Sequence, residues 1–454
     1  MDKQYRLKDG VYLVKGASQG AILDTNTGLV YSVNEQACKV CSYVLEDESY
    51  WMTLTSLGIA EQGGPAGQQE LPKLTADNRL RFVWFEIVTS DCNQRCLHCY
   101  AESMPRNIRR SSSANGFSSA VIPPRDRMSY KDWLRAIREA REHGCRACQF
   151  IGGEPLLYKG ENGETVFDLI AFAKVAGFSS IEIFTNATLL TLAEIQRMKD
   201  LGVKVAVSLY SNDSLVHDRI TRVPGSYSKT IKALALLAKS GVETRVETIL
   251  MRANQDTVEA TLAFKKEMGY KGRKPDPLRP SGRGENILNQ PDEINLIKYG
   301  FRLAPNFNAS KGMIAHYRSG HSCLLGKIAI TEFGEILSCI FTRDRILGNY
   351  LNKNSLEGII KGPELQQIWH MTKEDVNVCQ DCEYRYVCFD CRPLAEELSE
   401  GRADFKTAPY PRCTYNPYSG RWGDGVWSAD VNGRPYYDRS HAPEINLVRQ
   451  MFEK

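Results

Sequence analysis

The sequence predicts an α/β protein centred on a partial (β/α)6 TIM-like barrel, with a small N-terminal β-then-α module before it and a cysteine-rich module after it. Two observations carry this reading. From Leu80 onward, short apolar strand-like runs alternate with amphipathic helical stretches, the pattern of βαβ units around a parallel sheet. The cysteines are also clustered: of fourteen, three lie within Cys92 to Cys99 and seven between Cys323 and Cys413.

Residues 1 to about 60 place VYLVKG, GAILDT and LVYSVN around the turn-rich DTNTG, followed by a helical run from Glu35 to Leu45. The stretch EQGGPAGQQELPKL, 61 to 74, has no periodicity and reads as a linker. The barrel then takes LRFVWFEIV with YKDWLRAIREAREHG, RACQFIGG with TVFDLIAFAKVAGF, and SIEIFTNA with TLAEIQRMKDLG. KVAVSLY with SYSKTIKALALLAKSG and ETRVETILM with QDTVEATLAFKKEMGY follow, and a sixth strand is expected near Asp276 to Pro280. Such a barrel carries its chemistry at the C-terminal ends of its strands. The insertion from Met104 to Met128, containing SSSANGFSS, reads as a surface loop. The expected divisions are 1–75, 80–305, 306–425 and a C-terminal extension, 426–454.

Composition narrows the class. With 42% apolar and 25% charged residues, the chain has the make-up of ordinary globular proteins. MDKQYRLKDG carries charges where a signal peptide needs an apolar run, and no stretch of 18 apolar residues follows. The expectation is therefore a cytoplasmic protein without a membrane partner. A net charge of +4 is too slight to argue for nucleic acid.

In a reducing compartment, clustered cysteines point to metal or redox chemistry. Cys38 with Cys41 and Cys145 with Cys148 sit on apolar patterns and read as core residues. DCNQRCLHCY, 91 to 100, is different: Cys92, Cys96 and Cys99 follow the first barrel strand directly. Tetrahedral zinc wants four protein ligands and a disulfide wants a pair. A cubane iron-sulfur cluster held by three thiolates keeps one iron open for another ligand.

This C-x3-C-x2-C, ending in Tyr100, resembles the signature of radical S-adenosylmethionine (SAM) enzymes, and the chain resembles the radical SAM/SPASM peptide maturases, in particular subtilosin-type sactipeptide and ranthipeptide thioether-forming enzymes. The resemblance implies a SAM-binding [4Fe-4S] cluster on Cys92, Cys96 and Cys99. Gly152, Gly153, Glu154 and Pro155 stand where the family's GGEP receives the SAM amino group. Thr185 and Asn186 stand where relatives carry TNG, with Ala187 replacing the glycine. Ser208, in a segment similar to the family's SLD, would contact the ribose and carboxylate region, although Tyr210 replaces the Asp. Arg222, with Arg219 second, is the residue expected near the SAM carboxylate.

In the C-terminal block, Cys323-x10-Gly-x4-Cys339 is followed by Cys379-x2-Cys382-x5-Cys388-x2-Cys391 and Cys413. The pattern resembles SPASM, with its last close pair one residue shorter than usual. By spacing alone, zinc stays open. The family's interleaving implies an outer [4Fe-4S] cluster on Cys379, Cys382, Cys388 and Cys413. Cys323, Cys339 and Cys391 would hold an inner one with three thiols, its fourth position left to a substrate cysteine, water or His321. DTNTGLVYSVNEQA resembles the family's peptide-recognition element, a generic winged helix being the other reading.

The implied activity is reductive SAM cleavage to a 5′-deoxyadenosyl radical, hydrogen abstraction from a ribosomally made precursor peptide with a leader, and trapping of the carbon by a cysteine sulfur. A reductant such as flavodoxin or ferredoxin is implied too. Carbon-carbon crosslinking, epimerisation, decarboxylation and sulfatase activation use the same parts. A non-catalytic iron-sulfur peptide-binding protein would not need the GGEP set.

Overall fold

Three helices of the barrel region open on reciprocal caps written in the sequence, Ser129 with Asp132, Thr165 with Asp168 and Thr191 with Glu194. In each, the acidic side chain reaches back to accept from the cap's own N–H, and Ser129 Oγ and Thr191 Oγ1 accept from the Asp132 and Ala193 N–H groups. The computed structural model describes residues 5–63, 67, 69–72, 74, 77–108, 125–302, 307–352, 355–399, 402 and 404–440. Residues 109–124 of the expected surface loop, 441–454 of the C-terminal extension and parts of the linker lie outside them. The chain divides into two compact units: residues 1–77, 300–325 and 367–454 form one, and residues 78–299 and 326–366 the other.

In the first unit, β1 (Tyr5–Leu7) pairs antiparallel with β5 (Ala60–Gln62). Strands β2 (Val11–Lys15), β3 (Gly20–Asp24) and β4 (Val30–Val33) form an antiparallel sheet. Every residue of β3 is buried, as expected of a strand covered on both faces. One face packs Leu13 and Ile22 on Cys38 and Cys41 of α1 (Glu35–Cys41) and Trp51 of α2 (Glu48–Ser56). The other packs Val14, Ala21, Leu23 and Val30 on Ile314, Tyr384, Val387 and Tyr415, with Cys382, Cys388 and Cys413 against the same core. The linker thus does not isolate the N-terminal module, which shares a core with the C-terminal cysteines.

In the second unit, β6 (Phe82–Val88), β7 (Ala147–Gly152), β8 (Ser180–Thr185), β9 (Lys204–Ser208) and β10 (Thr244–Glu247) run parallel in that order. Helices α3 (Tyr130–Glu142), α4 (Val166–Val175), α5 (Leu192–Leu201), α6 (Ser214–Thr221), α7 (Ser226–Ser240) and α8 (Val258–Glu267) intervene. The sixth strand is present but short: β12 (Asp276–Pro277) pairs with β11 (Ile249–Leu250), just beyond β10. On the other edge β13 (Lys327–Thr331), expected in the cysteine-rich module, lies parallel to β6 and leads antiparallel into β14 (Glu335–Leu337) and β15 (Gly348–Asn349).

The two faces of this sheet differ. The rings of Phe85 and Phe150 lie 5.5 Å apart at a tilt, with Trp133 of α3 edge-on to Phe85, and the buried Cys145 and Cys148 belong to cores, as their patterns predict. The opposite face carries Gln149, Glu182, Arg245 and Glu247, joined by hydrogen bonds and ion pairs. Among the described residues no helix is long and apolar enough to cross a membrane.

Candidate active site

At the C-terminal ends of the parallel strands lies a cavity of about 310 Å3, lined by Cys92, Cys96, Cys99, Tyr100, Gly152, Gly153, Thr185, Asn186 and Ser208. Nine residues singled out in the sequence thus share one space. The cysteine loop is held from several sides: the Arg95 and Leu97 N–H groups donate to Thr221 O and Ile220 O, at 3.0 and 2.9 Å. Neutral donors reach Cys92 Sγ, the Gln94 N–H at 3.3 Å and Asn186 Nδ2 at 3.8 Å. Burial pushes the Cys92 thiol up and that of Cys96 to about 12, so only a bound cation would keep these sulfurs ionised at neutral pH.

Gly152 and Gly153 are demanded by the protein itself. Gly152 has φ +137°, and a Cβ there would overlap the Val88 carbonyl; one on Gly153 would overlap that of Asp91. The second strand end is therefore pressed against the first, just beneath the cysteines. Glu154 is fully buried, and its carboxylate accepts from Thr185 Oγ1 at 2.7 Å, the Asn186 N–H at 2.9 Å and the Leu156 N–H at 3.1 Å. Burial raises its pKa to about 6. It ties the second strand end to the third and, like the buried Pro155, is not part of the cavity wall. Asn186 Nδ2 then reaches Asn93 Oδ1 at 2.7 Å. Ala187, where relatives carry glycine, has φ +62°, a left-handed conformation that costs a non-glycine residue roughly 1 kcal/mol.

Tyr100 Oη donates to the buried Glu86 at 2.8 Å, whose other oxygen takes Arg343 Nη1 at 2.5 Å. Its ring meets Phe341 edge-on at 5.3 Å. Tyr210, the replacement for the family Asp, is buried against the ring of His98, 4.7 Å away. Burial holds that imidazole neutral, its pKa lowered to about 3.

Arg222 requires a correction. It is exposed, caps α6 in the left-handed conformation at φ +57° and lines no part of the cavity. Arg219 is exposed too and bonds the Ala253 carbonyl. The cation that lines the cavity is Arg283: Nε donates to Cys96 O and Nη2 to Ser103 O, each at 2.8 Å, while Nη1 is buried without a partner. A buried unpaired guanidinium nitrogen calls for an anion. The signal that marks it is SGRG, a glycine-flanked arginine directly after the sixth strand.

In the first unit Cys379, Cys382, Cys388 and Cys413 line a cavity of only about 30 Å3 with Lys373, Tyr410, Tyr415 and Trp427. Among the described residues no three His, Cys, Asp or Glu side chains converge tightly enough for a single metal ion. His321 is committed through one nitrogen: Nδ1 accepts from the Cys323 and Leu324 N–H groups at 3.1 and 3.0 Å. Nε2 lies 3.3 Å from Asp390 but is buried without a hydrogen-bond partner. Cys323 and Cys391 belong to this unit, Cys339 to the other.

Residues 87–264 match the Radical SAM superfamily. The chain is 24% identical over 295 residues to the antilisterial bacteriocin subtilosin biosynthesis protein AlbA of Bacillus subtilis, a match covering 63% of this chain and 60% of that protein, so it spans less than two thirds of that relative. It is 25% identical over 362 residues to the AdoMet-dependent heme synthase of Nitratidesulfovibrio vulgaris, covering 73% and 91%. Among solved structures, Streptococcus suis SuiB bound to precursor peptide SuiA has the same fold, with a TM-score of 0.51, 14% identity and coverage of 86% and 96%. The chain therefore carries a radical SAM domain, and its resemblance to the SPASM-type peptide maturases is borne out.

Proposed function

We propose that this protein is a radical SAM peptide maturase that joins a cysteine sulfur of a ribosomally made precursor to a carbon of the same peptide. The observation that carries the reading is the convergence of three thiols, two strand-end glycines and an unpartnered buried guanidinium nitrogen on one cavity at the barrel rim. Bound together, a [4Fe-4S] cluster and SAM supply a 5′-deoxyadenosyl radical that removes a hydrogen atom from carbon.

The chain's own contribution is placement. Cys92, Cys96 and Cys99 would hold the cluster, and the Gly152-Gly153 backbone and Ser208 would border SAM. Arg283 Nη1 would take its carboxylate, the role expected of Arg222. Tyr100, pinned by Glu86, and Phe341 would wall the reacting end against water, which limits side reactions. Cys379, Cys382, Cys388 and Cys413 would hold the outer cluster. The family resemblance assigns Cys323, Cys339 and Cys391 to the inner one, its fourth position open to a substrate thiolate, water or His321.

The N-terminal sheet supports a peptide as substrate, because an extended chain adds to an exposed strand edge by main-chain hydrogen bonds. One such edge is already met in part, since the Val30 N–H donates to Phe307 O at 3.0 Å, so a leader would pair beyond it, from Ser32.

Thioether formation removes one hydrogen atom from carbon and one proton from sulfur, and one electron leaves. The product therefore weighs two hydrogens less than the precursor and has one alkylatable thiol fewer. Mass spectrometry of a cysteine-containing precursor after turnover, with thiol alkylation, tests this. The same mass loss with every thiol retained would make the enzyme a carbon-carbon crosslinker.

A further inference from the structure

Beside the four-thiol cavity lies a buried group of charges that neither SAM binding nor peptide binding uses. Lys373 is 6% exposed. Its Nζ lies 3.7 Å from Cys379 Sγ and 3.0 Å from Asp390 Oδ1, and stands 4.9 Å from the centre of the Tyr410 ring. Asp390 is held from its other side by Arg392, with Nη2 to Oδ1 and Nε to Oδ2 both at 2.6 Å. The fourth member is His321, whose Nε2 lies 3.3 Å from Asp390 Oδ2.

The arrangement costs a good deal to bury. Arg392 alone would neutralise Asp390, with Nη2 donating to Oδ1 and Nε at ion-pair distance from Oδ2, so Lys373 is not needed for pairing. With one carboxylate against two cations, the group carries a net positive charge. That charge is aimed at sulfur: Lys373 lines both the four-thiol cavity and a smaller one formed by His321, Ser322 and Asp390. The Asp390 carboxylate stops the lysine from relaxing toward solvent.

We infer that Lys373 sets the redox poise of the outer cluster: its ammonium, fixed by Asp390 and donating to Cys379 Sγ, makes a cluster in the four-thiol cavity easier to reduce. This rests on the reading that Cys379, Cys382, Cys388 and Cys413 hold such a cluster. Reduction adds an electron to an already anionic centre. A cation fixed inside the protein stabilises that added charge far more than one in water, and charge and hydrogen bonds at the sulfurs are two of the terms that set iron-sulfur potentials. The outer cluster becomes a centre that readily accepts an electron.

The test is a potentiometric titration of the reconstituted full-length protein, followed by electron paramagnetic resonance. The outer-cluster signal is identified as the one lost in Cys382→Ala. Lys373→Met is expected to lower its midpoint so that about tenfold less is reduced at a fixed potential, or about 59 mV for one electron. Lys373→Arg is expected to restore most of the shift, and Asp390→Asn, which removes the opposing charge, to move the midpoint upward. A purely structural role predicts no such opposition of sign, and Asp390→Asn carries the test should Lys373→Met fail to fold. If the signal is present and Lys373→Met leaves its midpoint unchanged, or Lys373→Arg shifts it as far as Met does, the inference is wrong. If no reducible signal disappears in Cys382→Ala, the cluster assignment itself fails.

Discussion

The two cysteine cavities use the same side chain to opposite ends. At the barrel rim, three thiols border about 310 Å3 of space walled by glycine backbone, small polar side chains and a guanidinium with one nitrogen to spare. In the other unit four thiols close around about 30 Å3, with aromatic rings and a lysine filling the remainder. The donors that reach Cys92 Sγ are neutral, whereas Cys379 Sγ faces an ammonium. Under the proposed reading, a missing thiol and surrounding room leave a site able to bind something further, and four thiols in a tight, cation-backed pocket would serve to hold charge.

The largest expected effect separates the two sites outright. Replacing Cys92, Cys96 and Cys99 together by alanine abolishes 5′-deoxyadenosine formation while iron and sulfide bound by the other cysteines persist. Undiminished SAM cleavage in that variant would erase the contrast.

Next comes Arg283→Met, which acts on the open cavity alone. Losing a charge-assisted hydrogen bond of roughly 1.5–3 kcal/mol weakens SAM binding about 10- to 100-fold by equilibrium dialysis, with iron content unchanged. Arg283→Lys does not recover it, since an ammonium cannot bond two loop carbonyls and an anion in that fork geometry. Unaltered affinity in both would return the role to another residue.

Glu154→Gln sets an amide nitrogen against the Asn186 N–H or the Thr185 hydroxyl and costs about 1–3 kcal/mol of stability, read from denaturant titration. The wild-type carboxyl also leaves a pH signature. Its folded pKa of about 6 lies above the ordinary 4.5, so as pH rises the unfolded chain ionises first. The native state then loses roughly 2 kcal/mol between pH ~4.5 and ~6. Glu154→Gln should flatten that slope. Ala187→Gly has the smallest effect, a gain below about 1 kcal/mol from relief at φ +62°, partly offset by glycine's greater freedom when unfolded.

What the sequence disclosed and what it hid follow one division. The rim residues were legible because each stands at or just beyond the C-terminal end of a strand: Gly152, Thr185 and Ser208 close theirs, and Cys92 follows the first. Arg283 broke that pattern. It arrives from a loop nearly 190 residues beyond the cysteine carbonyl it bonds, and only the fold brings them together. Glycine-glycine was legible as a rim feature, yet its immediate cause is the press of one strand end on another, which a linear pattern cannot separate from an approach to ligand. The place of β13 beside β6 was hidden likewise, because strand order within a sheet is not chain order.

The N-terminal sheet has a last consequence, for engineering. Its inner strand is buried on both faces, and one of those faces abuts Cys382, Cys388 and Cys413. The segment is therefore not a detachable cassette. A chimera that imports another enzyme's first sixty residues to recruit a foreign peptide also imports a new wall for three of the four outer thiols. Val14, Ala21, Leu23 and Val30 would have to travel with the recipient rather than the donor. Altered substrate choice is better sought on the opposite face and the strand edge, where change does not reach those three cysteines.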